Sequence, residues 1–169
     1  MTWDAYNRRK AALREIFTIV DRRRDLTPTQ LLDRVDPERK AFDDEAWLLL
    51  ELQSAWFQRL SGKLDRYAAE LETSPEDVAK AAWIATAADM PGARSLLDAH
   101  LDEPILAKGL ASERAMVAAV AGAHGQGGRI IDAARAEAVY PIRTPEDVDT
   151  DDQTPTPGLV ARLRSVLAA

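Results

Sequence analysis

The longest uninterrupted helical pattern in the chain runs from Asp43 to Glu72, and it leaves few choices for everything else. Leu49, Leu52, Trp56, Leu60, Leu64, Tyr67 and Leu71 recur three or four residues apart, so they share one face of a helix. Asp43 or Asp44 is placed to accept the free amide hydrogens at its start. Glu45 and Glu51 lie towards the positive end of the helix dipole. At 1.5 Å per residue the rod is roughly 40 Å long, enough to cross a domain. Leu48, Leu50 and Phe57 lie off the main stripe, so the first half is expected to be surrounded. Gly62 costs about 1 kcal/mol against alanine and marks a place for a bend or a close crossing.

A chain of 169 residues is read most simply as one domain with a substantial core. The absence of cysteine excludes disulfides and thiolate metal sites. No apolar run approaches a membrane span, and Met1-Thr2-Trp3-Asp4 lacks the apolar centre of a signal peptide. A soluble cytoplasmic protein is therefore expected, with no membrane contact. A net charge of −6 argues against coating nucleic acid wholesale but permits a local basic surface. Alanine, leucine, arginine and glutamate abound and β-branched alternation is nearly absent, so the fold class is all-α.

Punctuation divides the remainder. A first helix is predicted from about Asp4 to Arg23, with Tyr6, Leu13, Ile16 and Val20 buried. Arg22, Arg23 and Arg24 lie at its negative end. Thr27-Pro28-Thr29-Gln30 opens a short helix to Val35, with threonine as cap, proline in the first turn and glutamine three residues on. Ser74-Pro75-Glu76-Asp77 opens another to about Asp89. Met90-Pro91-Gly92 breaks the pattern before a short helix from Ala93 to Leu101, whose buried side is Leu96, Leu97 and Leu101. A further helix follows Asp102-Glu103-Pro104 as far as Ala123. His124-Gly125-Gln126-Gly127-Gly128 is a turn before a helix over Arg129–Tyr140. From Pro141 to Thr156 proline, threonine and aspartate replace any hydrophobic period, which reads as an acidic tether. Thr156-Pro157 opens a last amphipathic helix with Leu159, Leu163, Val166 and Leu167 on one side.

Ala11–Phe17, Thr27–Val35 and Ala41–Leu49 resemble, in order, the first helix, the opening of the helix-turn-helix and the junction to the long fourth helix of the TetR-type repressor family. Ser74–Asp77, Met90–Arg94 and Asp102–Pro104 are similar to the punctuation of that family's body. The resemblance implies a TetR-like helical bundle: a degenerate DNA-binding head over residues 1–43, a ligand-binding and dimerising body over 44–140, and the tether with its terminal helix over 141–169. It also implies a homodimer, duplex DNA as a partner and a small apolar ligand. The chain departs from the family between Asp36 and Phe42, where a glycine turn and a full recognition helix are expected and only seven positions are available. A recognition helix must offer several side chains to base edges. Arg39 and Lys40 are the cations in that interval, and Asp36 and Glu38 face phosphates badly. Residues 1–43 hold ten Arg/Lys against eight Asp/Glu, which leaves electrostatic docking open.

The candidate DNA contacts are Arg8, Arg9, Thr27, Thr29, Arg39 and Lys40. The candidate ligand pocket is Trp47, Trp56, Phe57, Trp83, Met90 and His100, an aromatic wall with one polar group; the plainer alternative is that these residues fill the core. The candidate partner-docking stripe is Leu159, Leu163, Val166 and Leu167. Arg94 followed by His100 resembles the pair of HEPN ribonucleases. Six residues of helix leave the two about 120° apart, and the plainer alternative is an exposed arginine beside a partly buried or surface histidine. The glycines around His124 and Gln126 lack the lysine and spacing of a phosphate loop. Two histidines with scattered carboxylates form no metal pattern. No catalytic residue, metal or cofactor is assigned, and the chain is read as a non-enzyme. The expected function is a TetR-like, ligand-responsive regulator with a reduced DNA-binding head. The alternative is a helical adaptor that has lost DNA binding and holds a protein partner.

Overall fold

The computed structural model describes residues 3–138; the tether and Leu159, Leu163, Val166 and Leu167 lie outside them. Among the described residues seven α-helices follow one another: α1 Trp3–Arg22, α2 Pro28–Val35, α3 Glu45–Glu70, α4 Pro75–Asp89, α5 Pro91–Asp98, α6 Ala107–Val120 and α7 Gly127–Glu137, with one 3-10 turn at Pro104–Leu106. No strand occurs among the described residues. None of their helices is long and apolar enough to cross a membrane.

Local chemistry sets the helix starts. The Thr27 hydroxyl accepts from the Gln30 amide while the Gln30 side chain accepts from the Thr27 amide, closing a capping box ahead of Pro28. Asp44 Oδ1 accepts from the Trp47 amide at 2.9 Å and starts α3. Ser74 Oγ accepts from the Asp77 amide at 3.1 Å and starts α4. The rod α3 is continuous, and Leu48, Leu49, Leu52, Trp56, Leu60 and Leu64 form its buried face. Gly62 is exposed, and a β-carbon there would meet nothing within 4 Å, so no close crossing occurs at that point.

The element surrounded on nearly all sides is α4 rather than α3. Val78, Ala79 and every residue from Ala81 to Ala87 are buried, whereas Leu50 and Phe57 on α3 stay half-buried. The reason is side-chain size: alanines let α3 on one flank and α7 on the other close onto the α4 backbone. The alanine-rich helices α6 and α7 pack on each other as a hairpin inside one chain.

Two expected core residues turn outward. Tyr6 is 48% exposed, because the buried line of α1 runs through Ala12, Ile16 and Val20, roughly a quarter turn away. Leu101 is 37% exposed, because α5 stops at Asp98 and the following turn aims it at solvent. The other end of α5 is fixed by close approach. A β-carbon on Gly92 would lie 2.3 Å from the Val20 carbonyl group, and the Gly92 amide donates to Asp21 Oδ1 at 3.0 Å.

Candidate functional site

Between α2 and α3 the chain turns through Asp36–Phe42 without forming a helix. Asp36 organises this stretch. Its carboxylate is buried, and it accepts from the amides of Lys40, Ala41 and Phe42, each at 2.9 Å. Arg39 lies in the left-handed backbone region with φ 50°. It is held there by donating both its amide and Nη1 to the Asp36 carbonyl, each at 2.9 Å. Phe42 is 1% exposed and joins the main core. The loop is thus folded down onto the body, and the amides of Arg39, Lys40, Ala41 and Phe42 are all spent on Asp36.

The candidate DNA contacts are mostly engaged inside the head. Arg39 pairs with Asp33 at 2.6 Å, and Lys40 pairs with Glu38. Arg9 donates to the Ala41 carbonyl at 3.1 Å and pairs with Glu51 on α3 at 3.3 Å. Thr27 is the α2 cap, and the Thr29 hydroxyl bonds Glu45. Arg8 is exposed and enters no ion pair among the described residues.

The candidate pocket residues are not brought together. Trp56 and Trp83 are fully buried and meet edge to face, with ring centroids 5.4 Å apart. Trp47 is 43% exposed at the start of α3. His100 is half-buried, with Nδ1 2.8 Å from the Leu96 carbonyl. Met90 lines a different feature, an open cleft of about 410 Å³ between α1 and α3. Phe17 and Asp21 form one side of it, Ala55, Gln58 and Arg59 the other, and Asp89 joins Met90 at the end. Arg59 and Lys63 both reach Asp89, at 3.1 and 3.0 Å. The cleft walls therefore mix apolar groups with satisfied charges.

What the two tryptophans do enclose is an arginine. Arg94, expected at the surface, is 0% exposed. Its guanidinium lies 4.7 Å from the Trp56 ring and 5.9 Å from the Trp83 ring. Asp98 is 2.9 Å from Nη2 and Glu113 is 3.6 Å from Nη1. Glu113, 2% exposed, also accepts from Trp83 Nε1 at 2.9 Å and from Gln53 Nε2 at 3.4 Å. Arg135 on α7 reaches Asp98 at 3.1 Å and lies over Trp83 at 5.7 Å. None of the three Arg94 nitrogens makes an aligned hydrogen bond, so charge and ring contact hold it in place. This cluster ties α3, α4, α5, α6 and α7 at one point. It is closed to solvent at Arg94, so the Arg94–His100 pair does not face a common substrate. Glu113 and Gln53 were not among the sequence candidates. Glu113 carried a signal, since it sits at the same three-or-four spacing as Leu106, Leu110 and Val117, where an apolar residue is expected.

A second feature is the outer side of α1. Trp3 is 74% exposed and stacks on Tyr6 with centroids 5.8 Å apart, and Lys10 lies 6.0 Å from the Tyr6 ring. Among the described residues no group of three or more His, Cys, Asp or Glu is placed to hold a metal ion. No family model, curated protein or solved structure matches the chain.

Proposed function

We propose that this protein is a helical adaptor that holds a protein partner and does not read duplex sequence. The observation that carries this reading is the loop Asp36–Phe42. A helix-turn-helix reader needs several side chains aimed at base edges from a helix in the major groove. Here that interval is a turn gathered around the Asp36 carboxylate, with Arg39 and Lys40 paired to acids of the same loop region. Large exposed aromatic groups, Trp3 and Tyr6 on α1 and Trp47 at the start of α3, are of the kind that anchor protein interfaces. In this reading the sequence stripe Leu159, Leu163, Val166 and Leu167, outside the described residues, would supply a second apolar contact.

The second reading is a TetR-like, ligand-responsive regulator acting as a homodimer on DNA. In its favour are the order of a short capped helix, a loop and a long rod, and the exposed Arg8 on a basic first helix. In that reading a small apolar ligand in the α1–α3 cleft shifts the spacing of two heads. Exposed small residues on α6, such as Ala111, Ala115 and Ala119, are the face along which two copies would pair.

A gel-shift titration against the gene's own upstream duplex at two salt concentrations, with competitor DNA, separates the two. The adaptor reading expects any shift to vanish with competitor and with salt. A competitor-resistant shift that is lost in Arg8→Ala overturns it. Affinity capture with the full chain, beside a Trp3→Ala/Tyr6→Ala/Trp47→Ala variant, should then show one stoichiometric protein lost from the variant.

A further inference from the structure

One line of side chains runs along the outer side of α1. Trp3, Tyr6, Lys10, Arg14, Phe17 and Asp21 fall within about 80° of one another around the helix and over roughly 27 Å of its length. Phe17 is half-buried and the others are exposed. The upper end is aromatic, with Trp3 stacked on Tyr6 and Lys10 6.0 Å from the Tyr6 ring. The lower end is the α1–α3 cleft, where Phe17 and Asp21 face Ala55, Gln58 and Arg59, with Met90 at its end. Trp47 precedes Glu51 by one turn of α3, as Tyr6 precedes Arg9 by one turn of α1. The Arg9–Glu51 pair at 3.3 Å therefore puts this third exposed aromatic towards the same upper end.

The charges on the line are ordered. Lys10 and Arg14 enter no ion pair among the described residues. The nearby acids are taken: Glu51 by Arg9, and Asp89 at the cleft end by Arg59 and Lys63. Asp4 and Glu15 lie roughly a quarter turn beyond the edge of the line. Asp21 is the acid on the line itself; its Oδ1 accepts from the Gly92 amide at 3.0 Å, and the residue stays exposed. Two aromatic anchors, Tyr6 and Phe17, thus stand three turns and roughly 16 Å apart, with two cations between them and an acid beyond. A nucleic-acid strand carries a phosphate at every step and would meet Asp21 and Asp89 at the lower end. A peptide helix can change sign along its length, and this order of charges favours it.

We infer that, on the adaptor reading, the partner presents an amphipathic α-helix that lies along this side of α1. Two large apolar residues three turns apart seat on the Trp3–Tyr6 stack and in the cleft beside Phe17 and Met90. Acidic residues between them meet Lys10 and Arg14, and a basic residue past the second anchor meets Asp21. Apolar anchors on one helical face are the common mode of helix-in-groove recognition, and the opposed charges select among such helices. Acids early and a base late also suit the partner helix's own dipole when it runs parallel to α1.

The probe is a twenty-residue alanine-based helical peptide with leucines along one face, glutamates beside that face in its middle turns and a lysine in its last turn. The control carries lysine at each glutamate position. Both are titrated into the isotope-labelled full chain and followed by amide shifts. The glutamate peptide should move Tyr6, Lys10, Arg14, Phe17 and Met90, and should bind about tenfold more tightly than the control. In Lys10→Glu/Arg14→Glu, two exposed positions, that preference should invert, and the gain for the control peptide shows that the variant is folded. Trp3→Ala/Tyr6→Ala should weaken the glutamate peptide about tenfold. Equal affinity for the two peptides, shifts centred away from α1, or a preference that survives the charge reversal overturns the inference. So does tighter binding of a fifteen-nucleotide oligo-dT on the same amides, which would assign the line to single-stranded nucleic acid. Failure of the peptides beside a stoichiometric captured protein removes the helical partner and keeps the adaptor. A competitor-resistant duplex shift removes the adaptor whatever the peptides do.

Discussion

Replacing Arg94 by methionine keeps most of the volume between Trp56 and Trp83 and removes only the charge and the donors. Arg94 is wholly buried, with Asp98 at 2.9 Å and Glu113 at 3.6 Å. Breaking a buried ion pair from one side costs about 3–5 kcal/mol, mostly because the other charge is left in a poorly solvating interior. Two contacts lower the figure here. Glu113 keeps the Trp83 and Gln53 donors at 2.9 and 3.4 Å, and Asp98 keeps Arg135 at 3.1 Å with its side chain 21% exposed. A loss of about 3 kcal/mol is therefore expected, and a Tm lower by about 10 °C for a domain of this size. In urea the midpoint should fall by about 1.5 M with an unchanged slope. The partner change Glu113→Gln removes the stranded carboxylate. Combined with Arg94→Met it should cost less than the sum of the single changes by more than about 1 kcal/mol, the signature of a coupled pair. A single-site loss below about 1 kcal/mol, or strict additivity, would refute the assignment of the cluster as a charge-coupled tie between five helices.

Further outcomes follow from other contacts. Asp36→Ala strips the acceptor from the Lys40, Ala41 and Phe42 amides in a buried loop and should cost about 2–4 kcal/mol in thermal unfolding, with Phe42 becoming accessible to quenchers or exchange. Gly62→Ala, in open space on the rod, should raise stability by about 0.5–1 kcal/mol, whereas Gly92→Ala, aimed at the Val20 backbone 2.3 Å away, should destabilise the chain in the same melting assay. The Asp25 carboxyl, bonded by the Arg23 guanidinium and aided by its own backbone amide, is held down to about 2. Its folded value is depressed, so the bonded form should persist on acidification well below the usual aspartate range. It should be lost only as pH falls through about 2, which a carboxyl-carbon NMR titration reads directly; titration near 4 would disprove the Arg23 contact.

Much of the fold is legible residue by residue, because helix boundaries are settled by groups three or four positions apart. Thr27 with Gln30, Asp44 with Trp47 and Ser74 with Asp77 satisfy the free amides of their own first turns. The rod's buried stripe from Leu49 to Leu64 likewise follows from spacing alone. The candidate sites were less legible. Trp56 and Trp83 are plainly large and apolar in the sequence, but their environment depends on an arginine from α5 and a glutamate from α6.

The sequence by itself determined where α2, α3 and α4 start, the buried stripe of the rod, and that the interval from Asp36 to Phe42 is too short and too acidic for a full recognition helix. It put Gly127 and Gly128 in a turn, whereas α7 begins at Gly127. Only the tertiary structure decided which charges go inside. Arg94 and Asp36 look like surface residues in their own helix and loop, Glu113 interrupts an apolar stripe, and a lone charge is costly to bury. What makes each of them an interior group is a partner brought from elsewhere in the chain or a cage of amides closed by folding. Tyr6 went the other way for the same reason: its helix had an apolar side to spare, and the neighbours covered only the line through Ile16 and Val20.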